Sequence, residues 1–225
     1  FIDEVEAFPL SMDPNLSLPI QTASKAIHSH IYMTATPPRQ LIKQMSSHKV
    51  IKLPARFHRQ PLPVPHFKHF KLNTSRVQSQ LIHLFQAQIK QQRYTLVFFN
   101  HIETMKDAYH KYRAHIPNLI CVYSEDVYRF DKVEALRRGE HSIVFTTTIL
   151  ERGFTMARLD VIVINAETFS KAALIQIAGR VGRKMEEPKG LVLFLHEGVS
   201  LSMIKAKKDI TEMNRLGYER GWLDA

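Results

Sequence analysis

The chain has 225 residues, 44% of them hydrophobic, so it can bury a core and global disorder is excluded. Lys and Arg number 31 against 21 Asp and Glu, and the net charge of +10 favours a polyanionic partner, nucleic acid first. One cysteine, Cys121, excludes an intramolecular disulfide or a multi-cysteine zinc site within these residues, and no apolar run approaches the roughly 18 residues of a membrane span. A reducing, cytoplasmic setting is the expectation.

Phe1-Ile2-Asp3 reads as the end of a buried strand, which suggests a chain that begins inside a domain. Residues 31–35 and 49–53 are strand candidates, with a helix over 39–46 between them. Pro54, Pro61, Pro63 and Pro65 then forbid helix and favour an extended connector. Beyond it the chain alternates. Helices are expected over 75–92, 102–115, 129–138, 170–184 and about 200–216, and strands over 94–99, 118–123, 142–147, 160–165 and 190–195. Continuous apolar strands separated by helices imply an α/β fold, a parallel sheet with helices on both faces. Ligands of such sheets bind at the carboxyl ends of the strands.

Four segments at such ends carry candidate chemistry. Asp3-Glu4 follows an apolar strand end, where one carboxylate can hold Mg²⁺ through water and its neighbour can orient an attacking water. An acidic turn is the plainer alternative. Thr34-Ala35-Thr36 precedes Pro37 and offers two hydroxyls, or simply a strand stopped by proline. Thr146-Thr147-Thr148, with Gly153 behind it, offers hydroxyls and amides to a phosphate, although threonine also suits strands for its own sake. In Gln176-Ile177-Ala178-Gly179-Arg180-Val181-Gly182-Arg183, the spacing i, i+4, i+7 puts Gln176, Arg180 and Arg183 on one helix face. Two glycines cost a helix about 1 kcal/mol each, which a solvated basic face would not require. They suit close approach of a backbone or a ligand, and the arginines suit a transferring phosphoryl group.

Taken in order, these segments resemble the motifs of superfamily 2 helicases and translocases: Asp3-Glu4 the DExx motif, Thr34-Ala35-Thr36 motif III, residues 146–155 motif V and 176–183 motif VI. Asp3-Glu4-Val5-Glu6-Ala7-Phe8-Pro9, Leu53-Pro54-Ala55-Arg56-Phe57-His58 and Thr147-Thr148-Ile149-Leu150-Glu151-Arg152-Gly153 resemble the ComFA family, ATPases of bacterial competence that help draw single-stranded DNA into the cytoplasm. The resemblance implies the end of one RecA-like domain (1–55, with the DExx and TAT motifs), a linker (56–66) and a second RecA-like domain (67–225). It implies ATP and Mg²⁺ as cofactors. Asp3 would hold Mg²⁺ and Glu4 would be the catalytic carboxylate. Thr34 and Thr36 would couple nucleotide state to DNA, and Thr147 or Thr148 would contact a DNA phosphate. Gly153 would lie near the nucleotide, while Gln176, Arg180 and Arg183 would face it across the interdomain cleft. Arg183 is the first candidate for an arginine finger, with Arg180 assisting. Single-stranded DNA is the implied partner, with a membrane DNA-uptake channel and other competence proteins beyond it, and the implied location is the cytoplasm, peripheral to the inner face of the membrane.

Departures from the family pattern are plain. No Gly-x-x-x-x-Gly-Lys-Ser/Thr occurs in the chain, Thr155 stands where many relatives carry an acidic residue, and one cysteine cannot form the family's N-terminal zinc module. Residues 56–71 interleave Arg56, Arg59, Lys68 and Lys71 with Phe57, Phe67 and Phe70, a pattern that fits either stacking on single-stranded DNA or a connector docked by its aromatics. Two other readings stay open: a general superfamily 2 helicase that unwinds duplex, and a non-catalytic nucleic-acid-binding module.

Overall fold

The structure, a computed structural model, describes residues 1–3, 22–38, 42–43, 49–147 and 154–224. It forms two compact units, Phe1–Lys52 and Leu53–Ala225.

In the first unit Ile2 and Tyr32 form a parallel bridge, with the Ile2 amide donating to the Ile31 carbonyl and the Met33 amide to that of Ile2, both at 2.8 Å. The strand expected over 31–35 is thus a single bridge. Residues 49–53 form no strand: Val50, Ile51 and Leu53 are exposed. Their apolar character suited a strand, but a strand exists only where a partner does. The helix expected over 39–46 lies largely outside the described residues.

The second unit is built on six parallel strands. They are β1 (His66–His69), β2 (Tyr94–Phe98), β3 (Ile120–Val122), β4 (Ile143–Thr146), β5 (Leu159–Val163) and β6 (Val192–His196), in the order β1-β6-β5-β2-β4-β3. Four helices lie between them, α1 (Ser79–Lys90), α2 (Ile102–Tyr112), α3 (Arg129–Arg137) and α4 (Lys171–Ala178), and α5 (Leu201–Glu219) follows β6. Alternation along each strand feeds two cores. Leu96, Phe98, Val161, Val163 and Phe194 pack under α4 and α5, while Val97, Phe99, Ile162, Leu193 and Leu195 pack with Phe85 of α1 and Met105 and Tyr112 of α2. Strands buried on both faces explain the unbroken apolar runs. No described helix is long and apolar enough to cross a membrane.

Strand β1 has no counterpart among the expected elements. Its residues His-Phe-Lys-His carry little apolar signal because it is the sheet edge, and only Phe67 packs inward, stacked on Phe194 at a centroid distance of 5.8 Å. Phe70 is buried in the core as well. Docking of these two rings is the connector alternative raised by the sequence.

The proline-rich stretch after Lys52 forms no helix, as its composition demands, turns at Phe57–His58, and is strapped onto the rest of the second unit. Asn214 of α5 exchanges two hydrogen bonds of 2.8 Å with the backbone of Leu62. Arg59 donates to the Asp224 carboxylate and to the Gly221 carbonyl at 2.8 and 2.9 Å.

At the opposite, amino end of the sheet, Asp160 is almost fully buried and receives Arg93 bidentately at 2.6 and 2.9 Å. The same carboxylate accepts the Leu191 amide at 2.7 Å, and Arg93 also reaches the Lys189 carbonyl at 3.1 Å. This pair ties the starts of β2, β5 and β6 together.

Candidate functional site

Helix α4 starts at Ser170, whose hydroxyl accepts the Ala173 amide at 3.2 Å. Leu174, Ile177 and Ala178 press on the sheet and leave Gln176 half-buried. The helix then stops at Ala178, six residues short of the expected end at 184. The ladder gives way to i→i−3 bonds, from the Arg180 and Val181 amides to the Ile177 and Ala178 carbonyls, and Gly182, with φ of +67° in the left-handed region, keeps the helix from resuming. A Cβ there would sit 2.0 Å from the Pro188 carbonyl oxygen, so the close approach read from the glycines is to the protein's own backbone.

The arginines therefore project from a tight turn, and the expected single helix face for Gln176, Arg180 and Arg183 does not form. Arg180 is turned inward, only 3% exposed, and its Nη1 donates to the Phe154 carbonyl at 3.3 Å. That carbonyl directly follows the Thr148–Gly153 segment, so Arg180 links two of the four motif segments. Arg183 is half-buried, and its Nε donates to the Gly179 carbonyl at 2.8 Å.

Two residues that sequence reasoning did not assign to the site hold this turn. Arg56 Nη1 donates to the carbonyls of Val181 and Gly182 at 2.6 and 2.8 Å, and its Nη2 to that of Gly179 at 3.1 Å. His58 Nε2 is 2.8 Å from the Gly182 carbonyl, which can only accept. Burial first, and then the adjacent Arg183 guanidinium, push Arg56 down to about 10, so it stays charged at neutral pH. The one sequence signal was a buried-type Arg-x-His following Pro54. Partners 123 to 126 residues away left no periodicity to read.

The other candidates sit as follows. Thr146 spends its hydroxyl on the Val122 carbonyl at 2.9 Å, and Thr147, next to it at the carboxyl end of β4, is buried. Glu4, Thr148 and Gly153 lie outside the described residues. In the first unit, the parallel bridge puts the Asp3 end beside the Met33–Thr34 end. Asp3 is exposed, and the Thr34 hydroxyl accepts the Thr36 amide at 3.0 Å in a local turn.

This donor set suits nucleotide phosphates. Burial first, and then repulsion between the Arg56 and Arg183 guanidinium groups on this turn, lowers the Arg56 pKa, so an anion beside the turn relieves that repulsion. A single exposed carboxylate, Asp3, suits Mg²⁺, which keeps most of its water.

Residues 76–185 match the helicase conserved C-terminal domain. The chain is 36% identical to the competence protein ComFA of Bacillus subtilis (strain 168) over 224 residues, covering 96% of this chain and 48% of that protein. ComFA of Streptococcus pneumoniae is also 36% identical, over 95% of this chain and 52% of that protein. The chain thus spans about half the length of the curated relatives it matches. Among solved structures, S. cerevisiae Dbp5 bound to RNA and ADP BeF3 superposes with a TM-score of 0.64 at 14% identity, covering 94% of this chain and 56% of Dbp5. RecG bound to a three-way DNA junction gives 0.57 at 16% identity, over 84% and 26%. At such identity the likeness is one of fold: the six-stranded parallel sheet with its helices is the RecA-like fold of helicase C-terminal domains.

Proposed function

From a chain that is ComFA-like over nearly its whole length and carries a superfamily 2 helicase C-terminal domain, we propose an ATP-driven motor that moves along single-stranded DNA during competence. The first unit belongs to a first RecA-like domain, and the second unit to a second one. Within the motor, Asp3 holds Mg²⁺ through water and Glu4 orients the attacking water. Thr34 and Thr36 couple nucleotide state to the DNA grip, and Thr147 and Thr148 track phosphates. Gly153 and Gln176 line the nucleotide, Arg183 stabilises the charge that develops on the transferring phosphoryl group, and Arg180 assists from its buried position. ATP supplies the free energy when bound. The DNA strand is drawn in through a membrane uptake channel to the cytoplasmic side.

The observation that carries this reading is the braced turn after α4. Binding nucleic acid alone needs no arginine held by three main-chain hydrogen bonds from a second arginine. A fixed guanidinium is what phosphoryl transfer requires, because it favours the transition state over bound nucleotide.

The test is made on the full-length protein. ATP turnover is measured with and without a long single-stranded oligonucleotide, and translocation as displacement of streptavidin from its biotinylated end. Stimulated turnover with displacement is expected. Turnover that ignores single strands, or strand separation of duplex without any single-strand movement, overturns it.

A further inference from the structure

The connector residues Arg56 and His58 fall outside the four motif segments, yet they make the tightest set of long-range polar contacts in the second unit. Each of the three carbonyls that Arg56 binds, those of Gly179, Val181 and Gly182, flanks Arg180 or Arg183 in the chain. The Gly179 oxygen is shared, taking Arg56 Nη2 at 3.1 Å and Arg183 Nε at 2.8 Å. His58 meets the Gly182 carbonyl from the same segment. On the other side of the turn the Pro188 carbonyl leaves no room for even a methyl group on Gly182. A turn whose own bonds at Arg180 and Val181 are short i→i−3 contacts is held by Arg56 and His58 and closed off by Pro188. Like charge repels the two guanidinium groups across the Gly179 carbonyl that both bind.

We propose that Arg56, supported by His58, is a positioning residue for phosphoryl transfer: it fixes the turn so that Arg183 is presented in its productive geometry. The inference rests on the reading of Arg183 as an arginine finger. Arg56 touches no reacting atom. It acts through Arg183, and removing it matters only while Arg183 is present. Lysine is a poor replacement, since one ammonium cannot span three carbonyls held by a planar fork.

A double-mutant cycle on the full-length protein tests this, with single-strand-stimulated kcat, KM for ATP and oligonucleotide affinity read on each variant. Arg183→Ala is expected to lower kcat by about 10³-fold. Arg56→Ala is expected to lower it by about 10²-fold, the scale of a misplaced group, with KM and DNA affinity nearly unchanged. The double variant is expected to be no slower than Arg183→Ala alone. Arg56→Lys is expected to fall between wild type and Arg56→Ala. If Arg56→Ala does not fold, the same cycle is read on Arg56→Lys. A folded Arg56 variant with kcat within about twofold of wild type overturns the inference, as does a double variant whose losses multiply, because independent losses mean separate roles. Should Arg183→Ala itself turn over normally, the finger reading fails instead, and with it the basis for the brace.

Discussion

Arg56 and Arg183 donate to one carbonyl oxygen, that of Gly179, at 3.1 and 2.8 Å. A carbonyl has two lone pairs, so both bonds are satisfied, and the two guanidinium groups are locked at close range although they repel. The fold tolerates the repulsion because Arg56 is anchored twice more, at Val181 and Gly182. The consequence is a concentrated positive charge at the end of α4 on a backbone that cannot relax away from it. Such pre-organisation is what electrostatic catalysis of phosphoryl transfer uses.

Arg183→Lys in the full-length protein separates charge from shape. Lysine keeps the charge but loses the Nε donor that reaches Gly179 and the planar fork. Turnover is expected to fall by about 10²-fold or more, close to the alanine variant, while oligonucleotide affinity changes by less than about threefold. Turnover kept near wild type by lysine would show that a point charge suffices.

Gly182→Ala tests the turn itself. Alanine would have to adopt φ near +67° and would place its methyl 2.0 Å from a main-chain oxygen. Strain in the left-handed region alone costs about 1 kcal/mol, and the backbone shift adds more, for a total on the order of 3 kcal/mol. The denaturation midpoint is expected to drop accordingly, with stimulated ATPase falling further than folded fraction explains, since the Pro188 backbone and Arg183 must both move. An alanine variant as stable as wild type would refute the packing argument.

Asp160→Asn addresses the amino end of the sheet. The substitution keeps volume but removes the bidentate counter-charge of the mostly buried Arg93 guanidinium, leaving it only Glu187 at 3.5 Å. Breaking a buried pair in this way costs roughly 3–5 kcal/mol. Because the Leu191 amide and the Lys189 carbonyl share this network, the loss should be seen first as faster hydrogen exchange at the start of β6. Exchange unchanged at β6 would confine the pair to a local role.

Cys121 on β3 is buried, and burial pushes its thiol up, with the nearby Lys132 opposing weakly. It is therefore expected to react with a thiol reagent at least about 10²-fold more slowly in the native protein than in denaturant. The pH dependence has a definite sign. A thiol whose folded value lies above its unfolded value of about 8.5 contributes stability that is complete below that pH and is lost as pH rises through the folded value. Wild type should thus lose more stability between neutral and alkaline pH than Cys121→Ala does. Equal losses would mean that the thiol is solvated.

The sequence alone determined the parallel α/β architecture, because strands buried on both faces must be continuously apolar, as Leu96–Phe99 and Val161–Ile164 are. It located the ends of α1 to α3 and α5 to within a few residues for the same reason of periodicity. It singled out 176–183, because two glycines and two arginines make little sense in a solvated helix. Edge strand β1 escaped notice, since an edge needs only backbone pairing and one inward ring, and 49–53 misled, since apolar residues do not supply a partner strand. What tertiary structure alone decided is where the arginines point. The left-handed Gly182 against Pro188 ends α4 early, sends Arg180 inward to Phe154 and leaves Arg183 on the turn. Arg56, more than 120 residues earlier, holds that turn through hydrogen bonds to main-chain carbonyls. Carbonyls are the same in every residue, so the sequence of the turn carries no trace of what binds them, and only the folded chain brings Arg56 within reach.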